Sequence, residues 1–255
     1  MNTVWRNFST ALTFLTIIPL PLRGKNITGC GELAAAAGYF PLVGALLGLI
    51  FGGIVFIGRL FLPTAPLIGL IFIANFILTR GLHIDGLSDT ADGLVGGMEK
   101  ERSLEIMRDS VIGAMGASAV MFLYAFKFGA LLAIKTSVLP LVVFCLPFCG
   151  RWAMVFSGSL FGAARKEGLG RQFIEGLGFR QLFGAALIVT IVAAGFFYFA
   201  GSFLPQFLSG FCSATIISVL FAAWAARRLN GLTGDLLGAI DELAEAALLF
   251  GVFLC

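Results

Sequence analysis

The sequence predicts an all-α protein, a polytopic membrane helix bundle with about six to seven transmembrane helices and short interfacial helices. Two observations predict this class. Of the 255 residues, 59% are hydrophobic and only 12% are charged, whereas soluble domains carry about twice that share of charge. The apolar residues also fall into runs of roughly 20, the length that a helix needs to cross a bilayer. We expect residues 1–255 to form one integral membrane catalytic domain.

The apolar runs give the order of the elements. Residues 5–22 are apolar but short and contain Pro19 and Pro21, which favours an interfacial or re-entrant helix. A short amphipathic helix is predicted over residues 99–110. Seven spans are predicted, at residues 33–58, 66–82, 111–134, 138–161, 182–201, 204–226 and 236–255. Within the first span, small residues recur every fourth position and allow close helix packing, at Gly44, Gly48 and Gly52.

The positive charges predict the orientation in the membrane. With these spans, thirteen of the seventeen Lys and Arg residues fall on one side, and Arg59 and Lys135 fall on the other. Lys127 and Arg151 lie inside spans. Because cytoplasmic loops carry the excess of positive charge, we expect an inner-membrane protein whose basic side, and whose active site, face the cytoplasm. The formal charge of +3 is too small to indicate a nucleic-acid partner.

One polar stretch, residues 82–92 (LHIDGLSDTAD), interrupts the apolar runs and carries Asp85, Asp89 and Asp92. Spacings of four and three residues place these carboxylates on one helix face, where like charges repel unless a cation lies among them. Oxygen ligands favour Mg²⁺ or Mn²⁺ over zinc, and Mg²⁺ held by few carboxylates completes its shell with substrate phosphates. The stretch therefore predicts a metal site, with a solvated acidic face as the alternative.

Further metal ligands are predicted near the start of the last span. Asp235 and Glu242 are seven residues apart and so share a helix face. Carboxylates at the start of a membrane helix are costly and are typical of functional sites. Asp109, at the end of the amphipathic helix, is a third candidate to complete the metal shell.

Five residues are candidates for substrate binding. Asn230 and Thr233 precede the last helix, whose free N–H groups suit an anionic group; a plain N-cap is an equally open interpretation of Thr233. Gly168 and Gly170 allow the backbone to approach a bulky ligand. Arg151 lies within a span, where a charge is expensive, and we expect it to face a polar cavity with an anionic ligand.

Catalytic roles are predicted for Arg108, Asp109, His83 and Asp89. The guanidinium of Arg108 can bind phosphate through two N–H groups, although a simple pair of charges at the helix end, Arg108 with Asp109, is the alternative. His83 is the one histidine, and at the mouth of a metal site it would act as general base. A structural role for His83 is the competing interpretation.

Four segments together resemble cobalamin synthase, the adenosylcobinamide-GDP ribazoletransferase family. They are residues 81–93 (GLHIDGLSDTADG), 105–116 (EIMRDSVIGAMG), 167–170 (EGLG) and 233–242 (TGDLLGAIDE). The resemblance implies the nucleotide-loop assembly step of cobalamin biosynthesis: adenosylcobinamide-GDP is joined to α-ribazole or α-ribazole 5′-phosphate, GMP is released, and Mg²⁺ is required. Besides the lipid bilayer, a homo-oligomer or other cobalamin-assembly enzymes are expected as partners.

Other classes stay open on the residues alone. Membrane phosphotransferases for CDP-alcohols also use Asp-rich helices, but here no Ala-Arg follows residues 92–93, so their residue roles cannot be copied. A prenyl-diphosphate transferase would need a second Asp-rich motif, which is present only in weaker form at Asp235 and Asp241. A transporter would place its acids near the middle of spans, whereas these acids cluster at one face.

Overall fold

A computed structural model describes residues 3–20, 30–97, 99–109, 111–165 and 167–254 of the chain. The described residues form helices α1 (Thr3–Leu15), α2 (Cys30–Ala36), α3 (Phe40–Gly58), α4 (Thr64–Thr79), α5 (Leu82–Gly96), α6 (Lys100–Ile106), α7 (Ala114–Ala133), α8 (Leu139–Leu160), α9 (Leu169–Glu175), α10 (Phe179–Phe199), α11 (Leu204–Leu229) and α12 (Gly234–Val252). Within this part of the chain the only β-structure is an isolated parallel bridge between Ala163 and Leu232. The predicted all-α class is confirmed.

Five helical segments are long and apolar enough to cross a membrane: Gly31–Gly58, Ala114–Ala133, Leu139–Leu160, Phe179–Phe199 and Gly201–Leu229. Helices α4 and α5 pass the same test only as a pair, and they meet at 90°. Among the described residues the count is therefore five, or six with the bent pair. Helix α12, where a seventh span was predicted, is not among them; it carries four carboxylates. The molecule is a polytopic integral membrane protein.

The last helix, α12, is the centre of the bundle. It packs against α5, α7, α8 and α11, and nearly every residue from Leu236 to Leu249 is buried. The surrounding helices thus separate the carboxylates of α12 from lipid. This enclosure explains how a helix too polar to lie against hydrocarbon can occupy the middle of a membrane protein.

Helices α3 and α8 pack closely through the predicted small residues. A Cβ atom on Gly44 or Gly48 would collide with the backbone of α8 at residues 147–148 and 144, respectively, and one on Gly52 would lie 2.8 Å from the carbonyl oxygen of Pro140. The glycines therefore let the two backbones touch, as their four-residue spacing predicts.

The bundle has two chemically different ends. At the acidic end, α5 and α6 lie beside the N-termini of α7 and α12 and the C-terminus of α11, joined by contacts such as Arg228 Nη2 to the Gly97 carbonyl oxygen at 2.9 Å. At the opposite, distal end, the turn from α7 to α8 meets the start of α11 and the end of α12. Arg59 and Lys135 lie at the distal end. Arg23, Lys25 and Lys166, three of the thirteen residues that predicted the orientation, lie outside the described residues.

Candidate active site

The three aspartates of α5 form one face, as predicted. Asp85 is exposed, and Asp89 and Asp92 are partly buried. The N-terminal turns of α12 approach this helix very closely, because a Cβ atom on Gly86 would lie only 2.7 Å from the carbonyl oxygen of Asp235. Two helices that touch at a glycine bring a fourth carboxylate, that of Asp235, next to the three of α5. We call these four residues the acidic face.

The charges of the acidic face act on Asp89. Burial, and then the neighbouring carboxylates of Asp85, Asp235 and Asp92, raise the pKa of Asp89 to about 6, while Arg165 acts in the opposite direction. The repulsion that raises this pKa is the kind that a bound cation relieves. Among the described residues, however, no three His, Cys, Asp or Glu side chains are grouped closely enough to hold a metal ion by themselves.

Asp92 also has a structural task. Its two carboxylate oxygens accept hydrogen bonds from the backbone N–H groups of Gly113 (2.7 Å) and Gly116 (2.8 Å). These donors lie at the N-terminus of α7, where four N–H groups lack partners within the helix and the helix dipole favours a negative charge. Asp92 therefore fixes α7 against α5. Its role as a metal ligand, which would use the remaining lone pairs of the carboxylate, stays a prediction.

Arg165 is a site residue that the sequence reasoning missed, having counted it only among the basic residues. The segment after α8 pairs with the segment after α11: Leu232 N–H donates to the Gly162 carbonyl oxygen and Ala164 N–H donates to that of Leu232, both at 2.8 Å. This pairing sets the guanidinium of Arg165 opposite Asp235, to which it donates at 2.7 Å. The sequence shows that Arg165 lies in a basic loop and that Asp235 lies at the start of an acidic helix, but it does not show that the two are neighbours.

A cavity of about 360 Å³ adjoins this ion pair. Its lining includes three cationic side chains, those of Lys100, Arg108 and Arg165, together with Glu101 and Glu105. We call it the basic cavity. It places Arg108, a predicted phosphate ligand, on the same cavity as Arg165 and thus near Asp235. Three cations around one concave surface can bind a multiply charged anion such as a diphosphate.

Asp109 is not joined to the acidic face by any contact in the described part of the chain. Its side chain is exposed, and Oδ1 accepts a hydrogen bond from the backbone N–H of Val111 at 3.2 Å. The geometry does not bring Asp109 together with Asp85 and Asp89, so its predicted roles in catalysis and in the metal shell stay predictions.

The four other predicted substrate-binding residues, Asn230, Thr233, Gly168 and Gly170, lie near the starts of α9 and α12. The hydroxyl oxygen of Thr233 accepts from the Leu236 N–H at 3.1 Å; this buried side chain is the N-cap, so the plain interpretation of Thr233 is correct. Asn230 ends α11 in the left-handed conformation, with φ 53°. Gly168 has φ +104°, and a Cβ atom on Gly170 would lie 3.0 Å from the backbone nitrogen of Gly234. The close approach at Gly170 sets the start of α9 against the start of α12, whereas the position of a Cβ atom on Gly168 has no contact within 4 Å.

Three predicted site residues, His83, Arg151 and Glu242, lie instead in a buried ionic network at the centre of the bundle. Glu242 does not join the acidic face: its carboxylate accepts hydrogen bonds from Lys127 Nζ and, at 3.2 Å, from Tyr124 Oη. Asp235 and Glu242 do have the spacing of residues on one helix face. Spacing alone, however, does not reveal Lys127 on α7, the cation with which the buried carboxylate of Glu242 pairs. The metal-ligand prediction for Glu242 is therefore not supported.

The guanidinium Nη1 of Arg151 is likewise paired with carboxylates inside the protein, while its Nε has no hydrogen-bond partner among the described residues. It is fully buried, and Nη1 donates to Asp241 at 3.0 Å and to Glu245 at 3.3 Å. Glu245 in turn accepts from Lys127 Nζ at 2.8 Å. The network thus ties α7 and α8 to α12. The sequence could predict that Arg151 has an anionic partner, because a cation inside a membrane span needs one. It could not predict which carboxylate, because that depends on which helices are neighbours.

His83 belongs to the same network and is 2% exposed. Its Nδ1 lies 3.2 Å from Arg151 Nη2 and 3.5 Å from Asp241 Oδ2. A guanidinium can only donate, so Nδ1 accepts, the ring is neutral and its proton is on Nε2. The prediction that His83 stands at the mouth of the metal site is wrong in its placement, since the side chain is enclosed.

The fold and the site define an integral membrane protein with a face of carboxylates beside a cationic cavity at one end of its bundle. A family model described as cobalamin-5-phosphate synthase matches residues 7–253, and the chain belongs to this family. The motif resemblance is confirmed. The chain is accordingly a transferase of cobalamin biosynthesis.

Curated relatives named adenosylcobinamide-GDP ribazoletransferase are similar over almost the whole chain. The protein of Syntrophobacter fumaroxidans is 40% identical over 252 residues, covering 96% of this chain and 97% of its own. That of Desulfitobacterium hafniense is 38% identical, with 97% and 96% covered, respectively. That of Geotalea daltonii is 35% identical, with 94% of each chain covered. No solved structure matches the chain.

Replacing Lys127 with Met should strongly destabilise the protein. The change leaves the buried carboxylate of Glu242 without a cation and leaves Glu245 paired with Arg151, and removing one partner of a buried ion pair typically costs about 3–5 kcal/mol. Thermal unfolding of the purified chain in detergent measures the effect. Arg102→Met, which breaks an exposed ion pair with Glu105 on α6, is the matched control. Equal unfolding temperatures for the two variants would show that the network does not support the fold.

Proposed function

We propose that the chain transfers the adenosylcobinamide-phosphate moiety from adenosylcobinamide-GDP to α-ribazole or α-ribazole 5′-phosphate and releases GMP, with Mg²⁺ as the required metal. The relatives' shared name supports the substrate class. The observation that carries the proposal is the contact between the acidic face and the basic cavity through the Arg165–Asp235 ion pair. A diphosphate and its metal need these two kinds of group side by side.

The carboxylate oxygens of the acidic face are ligands that suit Mg²⁺ as it is bound in enzymes that transfer phosphate groups. Mg²⁺ prefers carboxylate oxygens, and it commonly takes one or two of them and completes its shell with water and substrate phosphates. Asp85 and Asp89 would hold the ion, with Asp92 and Asp235 beside them. When bound, the ion neutralises charge that develops on the phosphate oxygens.

The chemistry is a displacement at phosphorus. A ribose hydroxyl oxygen of the ribazole attacks the phosphorus that carries the cobinamide arm, the bond from that phosphorus to the GMP phosphate oxygen breaks, and the hydroxyl proton leaves to a base. Because His83 is enclosed, we assign the proton to a carboxylate of the acidic face. Lys100, Arg108 and Arg165 would bind the phosphate oxygens and hold the reacting groups in line.

We also propose that the acidic end faces the cytoplasm, where nucleotides and Mg²⁺ are available. The distal end contains Arg59 and Lys135, and the other cations outside the bundle interior belong to the predicted cytoplasmic side. This distribution agrees with the excess of Lys and Arg that cytoplasmic loops carry.

The orientation makes a prediction for the C-terminus. Helix α12 begins at the acidic end and ends at the distal end, so a reporter fused after the last residue should lie outside the cytoplasm. We expect an alkaline phosphatase fusion to be active and a green fluorescent protein fusion at the same point to be dark. The reverse pattern would place the acidic face on the outer side and contradict the proposed orientation.

Replacing Asp89 with Asn should reduce GMP release in membrane vesicles by at least roughly 100-fold, the scale seen when a transition-state contact is lost. The amide keeps the shape of the side chain but cannot neutralise a cation. Glu99→Gln, an exposed acid at the same end of the bundle, is the control and should retain activity. If Asp89→Asn inserts normally and turns over at the wild-type rate, Asp89 has no place in the metal site.

A further inference from the structure

The distal end contains a polar pocket of about 510 Å³. It lies where the turn between α7 and α8 meets the start of α11 and the end of α12. Its polar lining consists of Lys135, Ser137, Ser202 and Gln206. We call it the distal pocket. The ammonium group of Lys135 and the two hydroxyls can donate hydrogen bonds to an anion, whereas the amide nitrogen of Gln206 donates to the carbonyl oxygens of Ser202 and Phe203.

An apolar groove of about 670 Å³ adjoins the distal pocket. It runs between α3, α8 and α10, and all of its lining residues are apolar or glycine. Leu141 lines both the groove and the pocket. Along α3 the groove extends from Ala45 to Phe56, which at 1.5 Å per residue is about 16 Å. This is about half of the roughly 30 Å hydrocarbon thickness of a bilayer, the depth of one leaflet.

The charge around the pocket has one sign. The described stretches that form the distal end, residues 57–66, 133–141, 198–207 and 251–254, contain no Asp or Glu, but they contain Arg59 and Lys135. The guanidinium carbon of Arg59 lies 4.6 Å from the ring centre of Phe56, a residue that lines the groove. Arg59 and Lys135 therefore lie beside the groove and the pocket, respectively, and these four stretches offer them no side-chain carboxylate.

We propose that the distal pocket and the groove together bind a phospholipid with an anionic head group. The phosphate and head group lie at Lys135, Ser137, Ser202 and Gln206, with Arg59 adding positive charge, and an acyl chain lies in the groove. Helix α10, only 11% buried over its span, is held to α3 and α8 by that chain. The site is at the opposite end from the acidic face, so it stands whether or not the proposed transfer reaction is correct.

Native mass spectrometry of the full-length chain in non-ionic detergent tests the proposal. The protein is mixed with equal amounts of phosphatidylglycerol and phosphatidylcholine. We expect the wild type to retain phosphatidylglycerol preferentially and Lys135→Gln to reduce that preference about fivefold, the effect of one cation near an anionic head group. Arg227→Gln, an exposed cation at the acidic end, should leave the preference unchanged.

The groove is tested separately by filling it. No protein atom lies within 4 Å of the position of a Cβ atom on Gly195, which lines the groove, or on Gly129, which does not. Gly195→Leu should therefore lower retention of both lipids, and Gly129→Leu should not. Equal retention of the two lipids by the wild type, or equal effects of the paired variants, would overturn the proposal. Displacement of the lipid by inorganic phosphate alone would also overturn the proposal, and so would the finding that the groove binds a second copy of the chain.

Discussion

The buried ion pairs between α12 and its neighbours are the constraint on which the rest of the structure depends. A helix with four carboxylates cannot lie against lipid, and three of these groups are buried within the bundle. Lys127 from α7 and Arg151 from α8 pair with them. This pairing fixes the rotation of α12 and leaves its first carboxylate, Asp235, at the surface of the bundle, where Gly86 of α5 allows the closest approach.

The acids of the chain are thereby divided between two tasks. Asp241, Glu242 and Glu245 are paired with cations in the interior, and they hold the helices in register. Asp85, Asp89, Asp92 and Asp235 lie together at the acidic end, where mutual repulsion is not fully compensated. An uncompensated face beside the basic cavity is suited to a metal and a diphosphate that arrive together.

The sequence predicts most of the fold, because hydrophobic runs and helical spacing are local properties. The runs located α4, α7, α8, α10, α11 and α12 to within a few residues, whereas the predicted span 33–58 begins seven residues before α3 and includes part of α2. The spacing of Asp85, Asp89 and Asp92 predicted their shared face. What failed depends on tertiary neighbours. Residue spacing could not show that Lys127 forms an ion pair with Glu242 or that Arg151 contacts the buried His83. It also could not show that the pairing of two loops brings Arg165 to Asp235.

The central claim is that a divalent cation and the phosphates of the nucleotide meet between the acidic face and the basic cavity. An experimental structure of the chain soaked with Mn²⁺ and GMP, with anomalous scattering to locate the metal, tests this most directly. The account predicts a manganese peak about 2.0–2.2 Å from carboxylate oxygens of Asp85 or Asp89 and the GMP phosphate against Arg108 and Arg165. Manganese bound elsewhere, with the acidic face empty, would contradict it.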